Sequence, residues 1–422
     1  MILCAGGALS NLVLVPLIWM IGRHYPDAIY PATISIADMD ATQIFRGYVR
    51  FIGVGAIATA GIFGIIKSLR IVAGSFKIAA HAFKHGEAAG QERTDKDLST
   101  MTILIGVLAT TLGAGFFFSS LGTSLTVAVV GLLLTVLFSF FFASVAANAI
   151  ATTARNPVSG MTMLTIIVSS IVLLNFGLSG TTGMFFVMAI AGMVCTALSV
   201  SGQAVTDLKA GYWLGSTPAV QQRVKFWGIV ASAVAGALTI MVLAKAFQFG
   251  EAAVGDPRVV LAAPQASIMK ALVEGFMSQQ PVAYILFGAG AAIAVVMEML
   301  GVPALIFALG MYLPLELNTP ALVGGFLAHL IAKRSEKAGG ERGRSMRERG
   351  VVIASGLMAG GALGGVLGAS LRLIPSYSEE WVKTPFYDNP AASQTVSALL
   401  FLALCIYVWR GAVKEGKGGA GA

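Results

Sequence analysis

The feature that most constrains this chain is its series of apolar runs, each about as long as a bilayer is thick. A helix that crosses the hydrocarbon core needs roughly 20 consecutive, mostly apolar residues. Ten runs near that length occur, at residues 2–22, 47–66, 101–120, 123–150, 160–179, 182–203, 226–248, 282–299, 351–373 and 395–411. Charged residues make up 11% of the chain, whereas soluble proteins carry about 25%. The sequence therefore predicts an all-α, polytopic integral membrane helical bundle.

Two further apolar segments, Val302 to Tyr312 and Ala321 to Ile331, are too short to cross a membrane alone. The residues that break the run between them are Pro314, Glu316, Asn318 and Pro320. Non-helical backbone at membrane depth is tolerated only where protein or a water-filled cavity surrounds it, and broken segments of this kind mark substrate sites in transporters. The pattern raises the total to about twelve segments, including short interrupted or re-entrant ones, and predicts a transporter.

Basic residues are concentrated in connections that one membrane topology places on the same side. The connections at 67–99, 204–225 and 333–349 are rich in lysine and arginine, and the C-terminal tail is basic as well. Positive residues are retained inside, so these segments and the C-terminus are predicted to be cytoplasmic. The net charge of +8 then reflects orientation, and no nucleic-acid partner is expected. We expect one transmembrane domain over 1–411 and a disordered tail at 412–422.

A second interruption lies between Asn148 and Thr165, where an apolar run stops at Asn156 and Pro157 and resumes after Gly160. Proline removes a backbone donor and moves the preceding residue out of helical geometry. Two interpretations stay open. The segment is either an ordinary cytoplasmic turn or a loop that re-enters the bundle and presents Asn156 and bare backbone to a substrate.

The segment from Ser201 to Gln222 also breaks before the next apolar run begins. Asp207 and Lys209 directly follow a predicted span, and a Gly-Tyr-Trp-Leu-Gly sequence and Pro218 interrupt the chain after them. The segment is either an inner gate that couples helix motion, or a helix end with a loop cap whose tryptophan lies in the membrane interface.

Carboxylates near apolar segments are few, and Glu298 and Glu316 are the candidates for proton coupling. An ionised group at membrane depth costs roughly 3 kcal/mol on insertion scales, so it usually has a partner or a function. Burial disfavours the charged form of a carboxyl group, which lets such a group bind and release a proton near neutral pH.

Sequence motifs for catalysis and metal binding are missing. The chain has no ATP-binding P-loop, no HExxH and no GxSxG, and its three cysteines lack CxxC spacing. We therefore expect no enzyme activity, no cofactor and no metal site, and transport that is ion-coupled, passive or powered by another subunit.

Several segments together resemble the oligopeptide transporter (OPT) family, and within it the bacterial branch related to the yellow-stripe-like metal-chelate transporters. The matching segments are Tyr48–Gly61, Asn156–Thr162, Asp207–Gln222, Pro264–Met269, Gly310–Gly325 and Arg349–Gly365. The resemblance implies an OPT-type fold and proton-coupled import of short peptides through the cell inner membrane. Members of the family have more membrane segments than the twelve or so found here, so N-terminal helices are expected to be missing.

By this resemblance and the reasoning above, the candidate site residues form three groups. Substrate-binding or path residues are Asn156, Ser159, Gly160, Tyr312, Pro314 and Asn318; gating residues are Asp207, Lys209, Pro218 and Gln222; and proton-coupling residues are Glu298 and Glu316.

Other functions remain open from the sequence. The cargo is either short peptides or peptide-like metal chelates of the siderophore type, because a chelate is recognised by its organic shell and needs no protein ligands. A passive channel and an inactive, truncated remnant are alternatives of another class. Channels usually build their filters from symmetric subunits, whereas the broken segments here differ from each other. Homo-oligomerisation is also left open.

Overall fold

The protein is almost entirely helical in the residues that a computed structural model describes, which are 1–64, 66, 92–153, 158–249, 260–261, 263–277, 284–374 and 389–414. The α-helices are α1 Ile2–Gly22, α2 Ala41–Gly64, α3 Thr100–Ser120, α4 Leu125–Thr153, α5 Val158–Asn175, α6 Gly180–Leu214, α7 Pro218–Ala246, α8 Pro264–Met277, α9 Tyr284–Met299, α10 Ala304–Tyr312, α11 Leu315–Ala338, α12 Gly340–Arg372 and α13 Pro390–Val413. Two strands, β1 Gln248–Phe249 and β2 Val260–Leu261, form one short parallel pair.

The helices confirm the prediction of a polytopic membrane bundle. Eight of them, α1, α2, α3, α4, α6, α7, α12 and α13, are long and apolar enough to cross a membrane. Helices α5 and α9 are apolar but shorter, over Gly160–Asn175 and Tyr284–Met299. The two short segments of the sequence fall on α10 and α11, and α8 is an additional helix that the apolar runs did not indicate.

Helices extend further than the sequence pattern suggested. Helix α6 continues to Leu214, so the connection predicted at 204–225 shrinks to the turn before Pro218. The basic stretch at 333–349 is helical on both sides of a turn at Gly339 and Gly340, where φ is +62° and +51°. Charged residues are good helix formers, so they prolong helices outside the apolar windows. Residues 67–91 of the first basic connection lie outside the described part.

The described residues divide into two compact units. The larger one comprises Ile2–Ala231 and Pro264–Pro314, and the smaller one comprises Ser232–Ala263, Leu315–Ala422 and Met1. In the smaller unit α11, α12 and α13 pack together, and the Ser335 hydroxyl donates to the carbonyl oxygen of Gly343 over 2.6 Å. Helix α13 runs to Val413, past the expected end of the membrane domain at 411.

Helix α6 is at the centre of the larger unit and packs mainly on α4 and α5. Its buried residues Val187, Ile190, Val194 and Leu198 recur every three or four positions, which places them in one stripe along the helix. Beside this stripe, the ring of Phe186 lies 4.8 Å from that of Phe118 on α3. This packed group is the scaffold on which the polar segments of the unit are mounted.

Two glycines allow α1 and α10 to cross with their backbones in contact. A Cβ atom on Gly6 would overlap the carbonyl oxygen of Phe307, and a Cβ atom on Gly310 would overlap the carbonyl oxygen of Leu3. Small residues permit such close approach between membrane helices. Because the contact is reciprocal, the position of the nine-residue helix α10 is tied to that of α1.

Candidate functional site

The first candidate site surrounds the C-terminal end of α10, where the sequence predicted a broken segment. Helix α10 ends at Tyr312, whose side chain is only 3% exposed. On the side of α2, a Cβ atom on Gly53 would lie 3.1 Å from the Cα atom of Tyr312. The end of α10 is thus held in close contact with α2.

An arginine on α2 binds the tyrosine that ends α10. The guanidinium of Arg50 donates from Nε and from Nη2 to the hydroxyl oxygen of Tyr312, over 2.8 Å and 2.6 Å. Its central carbon also lies 5.0 Å from the centroid of the Tyr312 ring. A cation beside the last turn of a helix interacts favourably with the helix dipole. The two hydrogen bonds therefore fix a positive charge at the end of α10.

Arg50 was missed by the sequence reasoning, although a signal for it was present. The residue lies inside the apolar run 47–66 and within the candidate span Ala41–Gly64, where an ionisable side chain is unusual. One charged residue changes the mean hydropathy of this run very little, so the hydropathy pattern does not indicate Arg50. Tyr312, in contrast, was predicted as a path residue, and the structure places it at the centre of this contact.

Of the predicted loop that contains Asn156, Ser159 and Gly160, the structure brings Gly160 next to α10. A Cβ atom on Gly160 would lie 3.0 Å from Cδ2 of Leu305. Gly160 is in the first turn of α5 rather than in a loop, because the helix begins at Val158. Asn156 and the side chain of Ser159 lie outside the described residues.

The polar break between the short segments is narrower than predicted. Only two residues, Leu313 and Pro314, separate α10 from α11, and Glu316, Asn318 and Pro320 all belong to α11. Proline in the second turn of a helix removes one intrahelical hydrogen bond, and this helix continues through it.

Three more residues were predicted near this break: Glu298, Glu316 and Asn318. Asn318 is 3% exposed, and the side chain of Glu316 lies outside the described part. Glu298 is half-buried in the last turn of α9. Among the described residues, no three His, Cys, Asp or Glu side chains form a group that could hold a metal ion.

The second candidate site is a polar cluster around the turn between α6 and α7, at the predicted gate. The turn follows Gly215, which adopts φ +67° and ends α6, while the amide of Ser216 donates to the carbonyl oxygen of Gly211 over 2.8 Å. This is the Schellman arrangement, in which a residue with positive φ ends the helix and glycine is the preferred choice. Pro218 then occupies the first position of α7, where its missing N–H costs nothing.

A connector at residues 92–99, more than 100 positions earlier in the chain, binds this turn. Arg93 donates to the carbonyl oxygen of Gly215 over 2.9 Å and to the hydroxyl of Thr217 over 3.1 Å. Gln222 donates to the carboxylate of Asp97 over 3.0 Å and accepts from the amide of Leu98 over 3.0 Å. We call these contacts the connector latch.

Asp207 and Lys209, both predicted gating residues, have different surroundings. The carboxylate of Asp207 pairs with Lys225 on α7 over 2.7 Å. Lys209 instead lies over the rings of Tyr212 and Trp213, 4.9 Å and 5.4 Å from their centroids, as expected of a side chain in a membrane interface. The structure therefore joins Asp207, Pro218 and Gln222 in one region and leaves Lys209 beside it.

The connector latch borders a cavity of about 700 Å³. Its lining combines Arg93, Asp207, Gln222 and Lys225 with apolar side chains such as Val220 and Val224. Clefts of about 300–1,000 Å³ with a few polar groups are typical of small-molecule sites. The cavity is therefore large enough for a short peptide.

Comparisons with known proteins identify the family of the chain. A family model described as "OPT oligopeptide transporter protein" matches residues 1–372. A protein of Haemophilus influenzae named "Putative oligopeptide transporter" is 28% identical over 399 residues, which cover 86% of this chain and 63% of that protein. The chain thus spans less than two thirds of the length of that relative. No solved structure matches the chain.

Proposed function

Because the chain belongs to the OPT oligopeptide transporter family, we propose that it imports short oligopeptides through the cell inner membrane by proton symport. Members of this family are transporters and not enzymes, and the eight long apolar helices are those of a multi-pass membrane protein. The observation that carries the proposal is the charged Arg50–Tyr312 contact at the end of a helix too short to cross a membrane.

The length of α10 supports a substrate site near the middle of the membrane. A helix of nine residues is about 14 Å long, which is about half of a hydrocarbon core of about 30 Å. If α10 starts at one membrane surface, Tyr312 and Pro314 lie close to the midplane, where transporters of the broken-helix type bind substrate. Gly160 contacts the same helix. Asn156, Ser159 and Asn318 are proposed as path residues from the sequence pattern alone.

The connector latch is proposed as the inner gate. Basic residues flank the turn between α6 and α7, which supports a cytoplasmic position for it and for the C-terminus. Its bonds are exposed or half-buried and polar, so they can break and form again at a modest cost in free energy. Such a contact suits a gate that opens in each transport cycle.

Proton coupling is assigned to Glu298 and Glu316. Glu298 lies at the end of the helix before α10 in the chain, and Glu316 lies at the start of the helix after it. Both are therefore close in sequence to a break in the helices. The alternative cargo is a peptide-like metal chelate, which shares backbone amides and carboxylates with a peptide.

Uptake into proteoliposomes tests the proposal. Purified protein is reconstituted, an inward proton gradient is imposed, and labelled tri- to hexapeptides are offered beside an iron chelate. Accumulation of peptide that disappears when the gradient is collapsed is the expected result. Gradient-driven accumulation of the chelate alone would replace the peptide proposal, and equal uptake without a gradient would contradict symport.

A further inference from the structure

The edge of Arg50 that contacts Tyr312 is the edge that arginine uses to bind carboxylates. Nε and Nη2 both donate to one oxygen, the hydroxyl of Tyr312, over 2.8 Å and 2.6 Å. The same two N–H groups form the parallel hydrogen bonds of a bidentate arginine–carboxylate pair. The phenol oxygen therefore occupies a position where a carboxylate would bind.

We propose that Arg50 binds the C-terminal carboxylate of a transported peptide, which replaces the hydroxyl of Tyr312 on this edge. The inference rests on the proposed function, since it names the part of a peptide substrate that the site recognises. Every peptide with a free C-terminus carries this group, whatever its side chains are. An anchor at this position therefore recognises peptides as a class.

Tyr312 acts as the partner of Arg50 when no substrate is bound. The phenol oxygen accepts the hydrogen bonds of Nε and Nη2 between transport cycles, so this edge of the guanidinium is already in use when a peptide arrives. Both acceptors receive hydrogen bonds from a charged donor, but only the carboxylate adds the attraction between opposite charges. A peptide carboxylate can therefore take the place of the phenol oxygen on the guanidinium, and the guanidinium can bind Tyr312 again when the peptide leaves.

The backbone around Arg50 is positioned by buried side chains. A π-helical turn, Phe45–Val49, ends directly before Arg50, and Phe45, Tyr48 and Val49 in this turn are buried. The hydroxyl of Tyr48 donates to the carbonyl oxygen of Ile29 over 2.5 Å. Single π-helical turns within α-helices are frequent at functional sites. This turn fixes the point from which the arginine side chain extends.

The test compares a peptide with a free C-terminus with the same peptide carrying a C-terminal amide. Trialanine and trialanine amide are offered to the wild type and to Arg50→Gln, and both binding and gradient-driven uptake are measured. The wild type should bind the free acid about 10- to 100-fold more tightly, the value expected for hydrogen bonds to a charged group. In Arg50→Gln the preference should fall to near one.

Two further variants complete the test, Arg372→Gln as the control and Tyr312→Phe as a second change at the site. Arg372→Gln removes a half-buried arginine that also lies over an aromatic ring, Phe247 at 5.0 Å, and should keep the wild-type preference. Tyr312→Phe removes the competing hydroxyl and should keep the preference as well, because the carboxylate partner remains. Loss of the preference in Tyr312→Phe but not in Arg50→Gln would overturn the assignment to Arg50.

The readouts separate failure of the inference from failure of the proposed function. Equal binding of acid and amide by the wild type would overturn the anchor, even if peptide uptake is observed. Binding with the acid preference but no uptake would retain the anchor and contradict transport by this chain. If Arg50→Gln does not fold, Arg50→Lys is measured instead; it keeps the charge but lacks the edge that forms two parallel hydrogen bonds, and an unchanged acid preference would overturn the proposal. Binding of a carboxylate-bearing iron chelate is compared with binding of its ester. A preference for the chelate acid, without one for the peptide acid, would show that the bound carboxylate belongs to a chelate.

Discussion

Replacing Gln222 with glutamate is expected to open the connector latch. In the wild type, Gln222 donates to the carboxylate of Asp97 over 3.0 Å and accepts from the amide of Leu98 over 3.0 Å. Gln222→Glu retains the acceptor for Leu98, removes the donor to Asp97 and places a second carboxylate beside the first. The change thus turns an attractive contact into a repulsive one without changing the size of the side chain.

The size of the effect follows from these two terms. A hydrogen bond to a charged group contributes about 1.5–3 kcal/mol, and two like charges about 4 Å apart in water repel by about 1 kcal/mol. The latch should therefore lose about 2.5–4 kcal/mol of free energy, which corresponds to about a 70- to 900-fold increase in the open population.

Hydrogen exchange at the amide of Leu98 measures this opening directly, because that amide is bonded to Gln222 in the closed latch. Asp97→Asn alone should increase exchange less than Gln222→Glu does, since its amide oxygen still accepts from Gln222 in a weaker, neutral hydrogen bond. Combined with Gln222→Glu, Asp97→Asn should restore protection, because the asparagine amide now donates to the new carboxylate. Unchanged exchange in Gln222→Glu, or no recovery in the double variant, would refute the latch as an energetic contact.

Three other perturbations follow from the structure. Gly310→Ala should lower the melting temperature, because overpacking against Leu3 costs about 1–3 kcal/mol. Gly288→Ala is the matched control, since no atom lies within 4 Å of the added Cβ, and it should leave the melting temperature unchanged. Glu298→Gln should abolish proton-driven uptake with an unchanged melting temperature, and full activity would remove this residue from proton coupling. Lys414→Cys, in a background without the three native cysteines, should react with an impermeant maleimide only after cells are opened, and labelling of intact cells would contradict a cytoplasmic C-terminus.

The apolar runs predicted the helices well because the bilayer imposes one simple requirement on length and hydropathy. The exceptions have local causes. Helix α11 continues through Pro320, since a proline in the second turn removes only one intrahelical bond. Helix α6 continues to Leu214 because no proline interrupts the residues after its apolar part, and it ends where Gly215 adopts a positive φ.

The candidate sites were predictable only where their signal is local. Tyr312 and Pro314 were predicted as site residues because the chain breaks beside them. Asp207, Pro218 and Gln222 were predicted because a turn interrupts two long helices. The partners of these residues come from distant parts of the chain. Arg50 is 262 positions from Tyr312, and no local pattern indicates that contact.

The packing of α10 restricts how a substrate can reach Arg50. The backbone contacts of Gly310 with Leu3 on α1 and of Tyr312 with Gly53 on α2 leave no room for α10 to shift between its neighbours. Packed interfaces of this kind move as units rather than deform continuously. Exchange of tyrosine for a carboxylate therefore requires rotation of a side chain. Because Tyr312 is buried and Arg50 is half-buried, we expect the arginine side chain to be the one that rotates. The Arg50 side chain thus moves with the bound carboxylate, while the C-terminal end of α10 stays in place.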